Sequence, residues 1–234
     1  FGITSYIYPG EAIALGASSV YPLEITAAYS SIANDGVYTK PNYFYKIDNN
    51  LGSTIKELDL EDNYANPNEA SVYLLRDMMR DVVRDGTAQS LRWKYKFTSP
   101  VAGKTGTTNN RTDAWFVGFT PQVCIGVWVG MDNPAVSIKK YGSEAALPIF
   151  AETIKKMYEF GEYSLGNEKS RRLDSNLDWE FPKNGIVTRD LCKESLKISN
   201  KYCKTKAGVK SEIFLETHVP NDRCNIKSHV SRFK

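Results

Sequence analysis

Residues 100–131 read PVAGKTGTTNNRTDAWFVGFTPQVCIGVWVGM, and the order of polar and apolar runs in this stretch decides the fold. Its middle, Gly103 to Thr108, is a compact run of Gly, Lys and Thr. Two apolar runs follow, Ala114 to Phe119 and Val123 to Val129, rich in Val, Ile, Phe and Trp and bounded by Gly, Pro and Asp. That is the composition of strands covered on both sides. Thr120-Pro121-Gln122 makes a tight turn between them. The stretch predicts three consecutive antiparallel strands with the polar run on the first.

A strand carrying Lys-Thr-Gly-Thr suits one wall of a cleft. Lys104 supplies a fixed cation for a carboxylate, and the hydroxyls of Thr105 and Thr107 can hydrogen-bond the same group. Gly106 removes the side chain where a substrate backbone must approach. A backbone N–H on such an edge can face a developing oxyanion. Alone, the triplet is better read as an ordinary strand with a solvated lysine.

Working outward, Leu23, Ile25, Ala28, Tyr29 and Ile32 follow helical spacing, and Asn34-Asp35-Gly36 ends that helix. Tyr43, Tyr45 and Ile47, a turn at Asn49 to Gly52, and a return through Ile55 and Leu58 predict a hairpin, with a loop over Asn63 to Asn68. Glu69 to Arg84 predicts an amphipathic helix with Val72, Leu75, Met79 and Val83 inward, stopped by Gly86. In Ser90 to Ser99, Trp93, Tyr95 and Phe97 alternate with Lys94 and Lys96, which predicts an exposed segment leading into the sheet. Beyond the three strands come a charged loop, Asp132 to Gly142, and a second amphipathic helix, Glu144 to Phe160. The composition shifts at Asp174 to Gly185. The expected organisation is a main body over residues 1–165, a linker over 166–185, and a basic, cysteine-containing extension over 186–234.

A chain of 234 residues with 41% hydrophobic and 24% charged residues is ordinary for a globular protein with its own core. A net charge of +3 argues against nucleic acid as a partner, although Cys192 to Lys234 holds ten Lys or Arg against four Asp or Glu. There is no run of eighteen apolar residues and no signal-peptide pattern, and the first residue is Phe1; the chain is expected to be an excised piece. Of four cysteines, Cys124 reads as a small buried hydrophobe in a strand. Cys192, Cys203 and Cys224 would allow one disulfide with one thiol over in an oxidising compartment. With His218 and His229 near, zinc is conceivable, but the spacings match no tight ligand pattern and no metal is expected.

Three ordered pieces carry a resemblance: Gly86-Thr87-Ala88, then Ala102-Gly103-Lys104-Thr105-Gly106-Thr107-Thr108, then Asp113-Ala114-Trp115-Phe116-Val117-Gly118. The series resembles the second half of the transpeptidase domain of penicillin-binding proteins, most closely the class A, bifunctional kind, whose third motif is K-T-G. Residues 10–40, with LG, PLE, AY and AN.G in order, are similar to the segment that precedes the KTG strand in that family. The resemblance implies an antiparallel sheet with packed helices, the penicillin-binding transpeptidase or serine β-lactamase-like fold, with its N-terminal part missing. It implies a serine peptidoglycan DD-transpeptidase that needs no cofactor, with the peptidoglycan stem peptide as substrate and β-lactams as mimics. Lys104, Thr105, Gly106 and Thr107 would bind substrate, and the Thr107 backbone N–H would complete the oxyanion hole. The setting implied is extracytoplasmic, with a membrane anchor and a glycosyltransferase domain in the rest of the protein.

The other two motifs are not found in place. Ser53-Thr54-Ile55-Lys56 and Ser137-Ile138-Lys139-Lys140 have the S-x-x-K spacing but fall in a hairpin and a loop, and Tyr64-Ala65-Asn66 lies after the segment it ought to precede. The nucleophilic serine and its lysine are therefore expected on polypeptide outside this chain, and the chain alone is expected to be inactive. The rivals are a β-lactamase or carboxypeptidase of the same fold, and a non-catalytic binding or scaffold module.

Overall fold

A computed structural model describes residues 1–44, 46–57, 62–64, 68–133, 135–160, 162–163, 171–203 and 208–225. Tyr45, Leu58, Ala65, Asn66, Pro134 and His229 lie outside the described residues. The helices are α1 (Pro22–Ala33), α2 (Glu69–Arg84), α3 (Ser90–Trp93) and α4 (Gly142–Phe160). The strands are β1 (Val37–Thr39), β2 (Lys46–Asp48), β3 (Thr54–Glu57), β4 (Asp62–Tyr64), β5 (Ala102–Thr107), β6 (Asp113–Phe119), β7 (Cys124–Gly130), β8 (Glu162–Tyr163), β9 (Arg171–Arg172), β10 (Ile186–Cys192) and β11 (Val209–Leu215). The chain forms two compact units, one of Phe1–Pro67 with Leu75–Trp179, the other of Asn68–Leu74 with Glu180–Lys234.

In the first unit, β5, β6 and β7 form the expected antiparallel sheet in that order, with Lys104 opposite Val117 and Val117 opposite Gly126. Side chains alternate across a sheet, so residues of even and odd number on β6 face opposite layers. Phe116 points to α4 and meets Phe150 edge-on at 4.8 Å between ring centroids. Phe119 points the other way, toward Tyr29 of α1 at 6.4 Å. Phe116, Leu147, Phe150 and Ile154 are all 0% exposed, and each such burial contributes about 1.5–3 kcal/mol.

Close approach requires small residues where helices meet the sheet. A Cβ on Gly142, at the start of α4, would lie 2.4 Å from the Trp115 carbonyl oxygen and 2.6 Å from that of Gly106. A Cβ on Gly126 would lie 2.0 Å from the Thr26 hydroxyl of α1. The Cys124 thiol donates to the Thr26 carbonyl at 3.4 Å, and burial pushes that thiol up to about 12, which leaves it inert at neutral pH.

Helix α2 occupies the predicted residues, and Val72, Met79 and Val83 are buried as expected; Leu75, at 40% exposed, is not. Arg76 takes an inward place that the apolar pattern could not assign, at 2% exposed. Its guanidinium bonds Asp35 at 2.7 Å and the Ile32 carbonyl at 3.2 Å, and it stacks 5.0 Å from the Trp179 ring centroid. Trp179 in turn donates to the Ala33 carbonyl at 2.9 Å, so a cation and an indole N–H both serve the C-terminal end of α1.

Two expectations need correction. Ser90 to Ser99 is not an exposed extended segment: it opens with α3, and Leu91, Tyr95 and Phe97 enter the core while Trp93 remains 62% exposed. Local bonds, Ala88 N–H to Val82 O at 2.9 Å and Phe97 N–H to Leu91 O at 3.1 Å, win over the apparent alternation. Within the loop expected over Asn63 to Asn68, Asn63 and Tyr64 instead belong to β4, which pairs with β1. The β2–β3 hairpin is present, with the Asn49 side chain accepting from the N–H groups of Leu51 and Ser53, both at 2.9 Å.

The N-terminal segment is held by one carboxylate. Glu24 on α1 accepts from the hydroxyls of Ser5 and Thr4 and from both their backbone N–H groups. Those bonds, the Ser5 hydroxyl first, hold its pKa at about 2, against an ordinary 4.5. A depressed carboxyl stabilises fully above the ordinary value and loses that contribution as pH falls through the folded one. The Thr4 and Ser5 amide resonances should therefore move together with a midpoint near 2 in an NMR titration; a midpoint near 4.5 would contradict the assignment.

In the second unit, β10 and β11 pair over seven residues, from Ile186 opposite Leu215 to Cys192 opposite Val209. Cys192, Cys203 and Cys224 are gathered there although their spacing suggested no common site. No described helix is long and apolar enough to cross a membrane.

Candidate functional site

Among the described residues β5 pairs with β6 alone, so its second side is an open edge. The Thr108 N–H bonds the Asp113 carbonyl at 3.2 Å, across the β5–β6 side. Backbone polar groups alternate along a strand, so the N–H and C=O groups of Thr105 and Thr107 point to the open edge. The Lys104 ammonium agrees: it bonds the Thr105 carbonyl at 2.8 Å and is exposed. A cation and an outward N–H thus share one uncovered edge, an arrangement able to receive an anionic, extended group.

The hydroxyls lie differently from the lysine. Thr105 and Thr107 project to the α4 side of the sheet, Lys104 and Gly106 to the α1 side. Thr107 Oγ1 accepts the Gly142 N–H at 3.1 Å, and Thr105 Oγ1 lies 2.8 Å from Thr87 Oγ1. The structure therefore gathers Lys104, Thr105, Gly106 and Thr107 on one edge but not the three polar side chains around one point. Thr87 is a neighbour that the sequence singled out only as part of Gly86-Thr87-Ala88. Its position depends on the turn after α2: a Cβ on Gly86 would lie 2.8 Å from Val82 Cα, and Ala88 is fully buried.

A polar turn locks the far end of β5. Thr108 Oγ1 accepts from the Thr112 and Asp113 N–H groups at 3.1 and 3.0 Å. Asp113 accepts from Trp128 Nε1 at 2.9 Å and from the Thr112 hydroxyl at 2.8 Å. These donors, the indole foremost, hold the Asp113 carboxyl below the ordinary carboxylate value. The Asp of the DAW triplet thus acts as a turn support, tied to Trp128 of β7.

The S-x-x-K look-alikes are not nucleophile sites. Ser53 is in the β2–β3 turn with Lys56 exposed on β3, and Ser137 donates to the Arg111 carbonyl at 3.0 Å from a loop. Tyr64 is a strand residue of β4.

An antiparallel sheet between helical layers, with a Lys-Thr-Gly strand at its edge, defines the fold of the penicillin-recognising transpeptidases. The sequence profile described as "Penicillin binding protein transpeptidase domain" matches residues 6–155, and the chain belongs to that family. Penicillin-binding protein 1A of Aquifex aeolicus is 34% identical over 197 residues, covering 84% of this chain and 25% of the relative. The chain thus spans about a quarter of that relative's length. Among solved structures, penicillin-binding protein 1A from Haemophilus influenzae superposes with a TM-score of 0.69 at 20% identity, covering 93% of this chain and 35% of the other. PonA1 from Mycobacterium tuberculosis, in complex with penicillin V, gives 0.56 at 22% identity, covering 74% and 50%. At these identities the structures speak for the fold.

Proposed function

We propose that this chain is the C-terminal part of a class A peptidoglycan DD-transpeptidase and supplies the carboxylate-binding wall of its acyl-transfer site. A serine on polypeptide outside this chain attacks the D-Ala-D-Ala carbonyl of a stem peptide, and the leaving D-Ala gives way to an acceptor amine. Lys104 holds the terminal carboxylate. The Thr107 N–H faces the oxyanion, a contact whose loss costs about 2.7–4 kcal/mol in comparable sites. The carrying observation is the Lys104 ammonium bonded to the Thr105 carbonyl on the open edge of β5, in a chain of this family.

Two further features support the reading. The apolar side chains Tyr6, Tyr8, Leu15 and Tyr21 are each at least 70% exposed, apolar area that another lobe of the same protein could bury. The curated relative is about four times longer than the part matched, which leaves room for a nucleophile, a glycosyltransferase domain and a membrane anchor on the extracytoplasmic face. A fluorescent penicillin should label the full-length protein covalently and leave the 234-residue chain unlabelled. Unlabelled full-length protein would favour a non-catalytic module, and a labelled short chain would return the nucleophile to these residues.

A further inference from the structure

From Glu180 to Asn225 the chain has little with which to exclude water. Among the described residues there, Pro182, Cys192, Cys203 and Cys224 are buried, and apart from Cys192 the β10–β11 side chains are at best half-buried. A two-stranded ribbon is marginal in water, and short units that lack an apolar core rely on a covalent or metal staple. Among the described residues of this stretch, the buried cluster is three cysteines.

Three separate pieces of backbone bring them together. Cys192 ends β10 and opens a tight loop in which its N–H bonds the Lys197 carbonyl and its carbonyl accepts the Leu196 N–H, both at 2.8 Å, with Leu196 left-handed at φ 58°. Asn200 fixes the other two: its side-chain oxygen accepts the Cys203 N–H at 3.2 Å, and its side-chain nitrogen donates to the Cys224 carbonyl at 2.8 Å. Cys224 is also tied by its N–H to the Ile198 carbonyl at 2.8 Å. The three Sγ atoms lie within 4.8 Å of one another.

We propose that Cys192, Cys203 and Cys224 bind one zinc-class divalent ion as thiolates, and that this ion is the staple of the C-terminal unit. Tetrahedral zinc with bonds of about 2.3 Å sets sulfurs about 3.8 Å apart, so the trio closes by about 1 Å at most. A disulfide would use two sulfurs and leave the third without a purpose at the centre. Donors surround two of the sulfurs, and the proton that the Cys203 thiol gives to the Asn200 side-chain oxygen at 3.4 Å is one that metal binding would release. Backbone N–H groups of Glu194 and Ser195 and the Ser195 hydroxyl donate to the Cys192 sulfur, and the Asn200 N–H donates to that of Cys203 at 3.3 Å. Three soft ligands select zinc over calcium or magnesium. On binding, three S–H protons pass to solvent as three metal–sulfur bonds form. For the fourth position, His218 is turned to the Thr217 hydroxyl at 2.8 Å.

The full-length protein, purified without chelator, should contain one zinc per chain by elemental analysis. Stripped under reductant and titrated with cobalt(II), it should show the charge-transfer and ligand-field bands of tetrahedral thiolate-bound cobalt. Cys203→Ser and Cys224→Ser should each weaken cobalt binding by at least about tenfold, while Cys124→Ser, outside the cluster, should not. The wild-type titration decides the matter even if the cluster variants fail to fold. A metal-free protein lighter by two hydrogens would establish a disulfide and overturn the proposal, as would a reduced protein that binds no cobalt.

Discussion

Lys104→Ala in the full-length protein is expected to slow acylation by benzylpenicillin by about 10- to 150-fold, the range for a charge-assisted hydrogen bond of about 1.5–3 kcal/mol. The residue is exposed and bonds the strand's own backbone, so the melting temperature should not move. Specificity gives a sharper reading than rate. A penicillin whose carboxyl is esterified offers Lys104 no anion, and wild type and variant should acylate with it at the same slow rate. An unaltered rate with benzylpenicillin would take Lys104 out of the mechanism; a loss equally large with the ester would make its role structural.

Arg76→Ala should destabilise the first unit by about 2–4 kcal/mol, which for a chain of this length lowers the melting temperature by about 4–16 °C. The substitution removes a side chain that is 2% exposed, its bond to the Ile32 carbonyl, and its stacking on Trp179. Asp35→Asn should cost less, because that carboxylate is 65% exposed and water already screens it. Thermal unfolding of the two variants checks the order, and equal losses would show that the ion pair outweighs the packing.

Neighbouring residues carried most of what the sequence made legible. The two apolar runs after Thr108 had length, composition and a Pro turn that fit only adjacent strands, and α2 had a clean 3.6-residue period closed by Gly86. Arg76 broke that period without being a surface residue, because its partners, Asp35 and Trp179, are distant in sequence. The β1–β4 pairing was hidden for the same reason: each strand has three residues, and neither shows alternation strong enough to announce a remote partner. Tyr95 and Phe97 were misread because alternation appears in any short aromatic-lysine run, whatever the backbone does. In the site, the motif named Lys104, Thr105, Gly106 and Thr107, but strand parity sent the hydroxyls to the side opposite the lysine. Cysteine spacing failed since the Asn200 ties that gather the sulfurs leave no mark on the interval between them.

The uncovered side of β5 also bears on how such a polypeptide behaves in a test tube. A row of outward amides and carbonyls next to Val, Ile and Trp strands is a template onto which a second copy can zip, the first step toward precipitation. Lys104 is the charge placed at that row, a gatekeeper against self-association in addition to the carboxylate-holding role proposed for it. Neutralising it removes both protections at once, so turbidity is a necessary control whenever the variant is handled at high concentration.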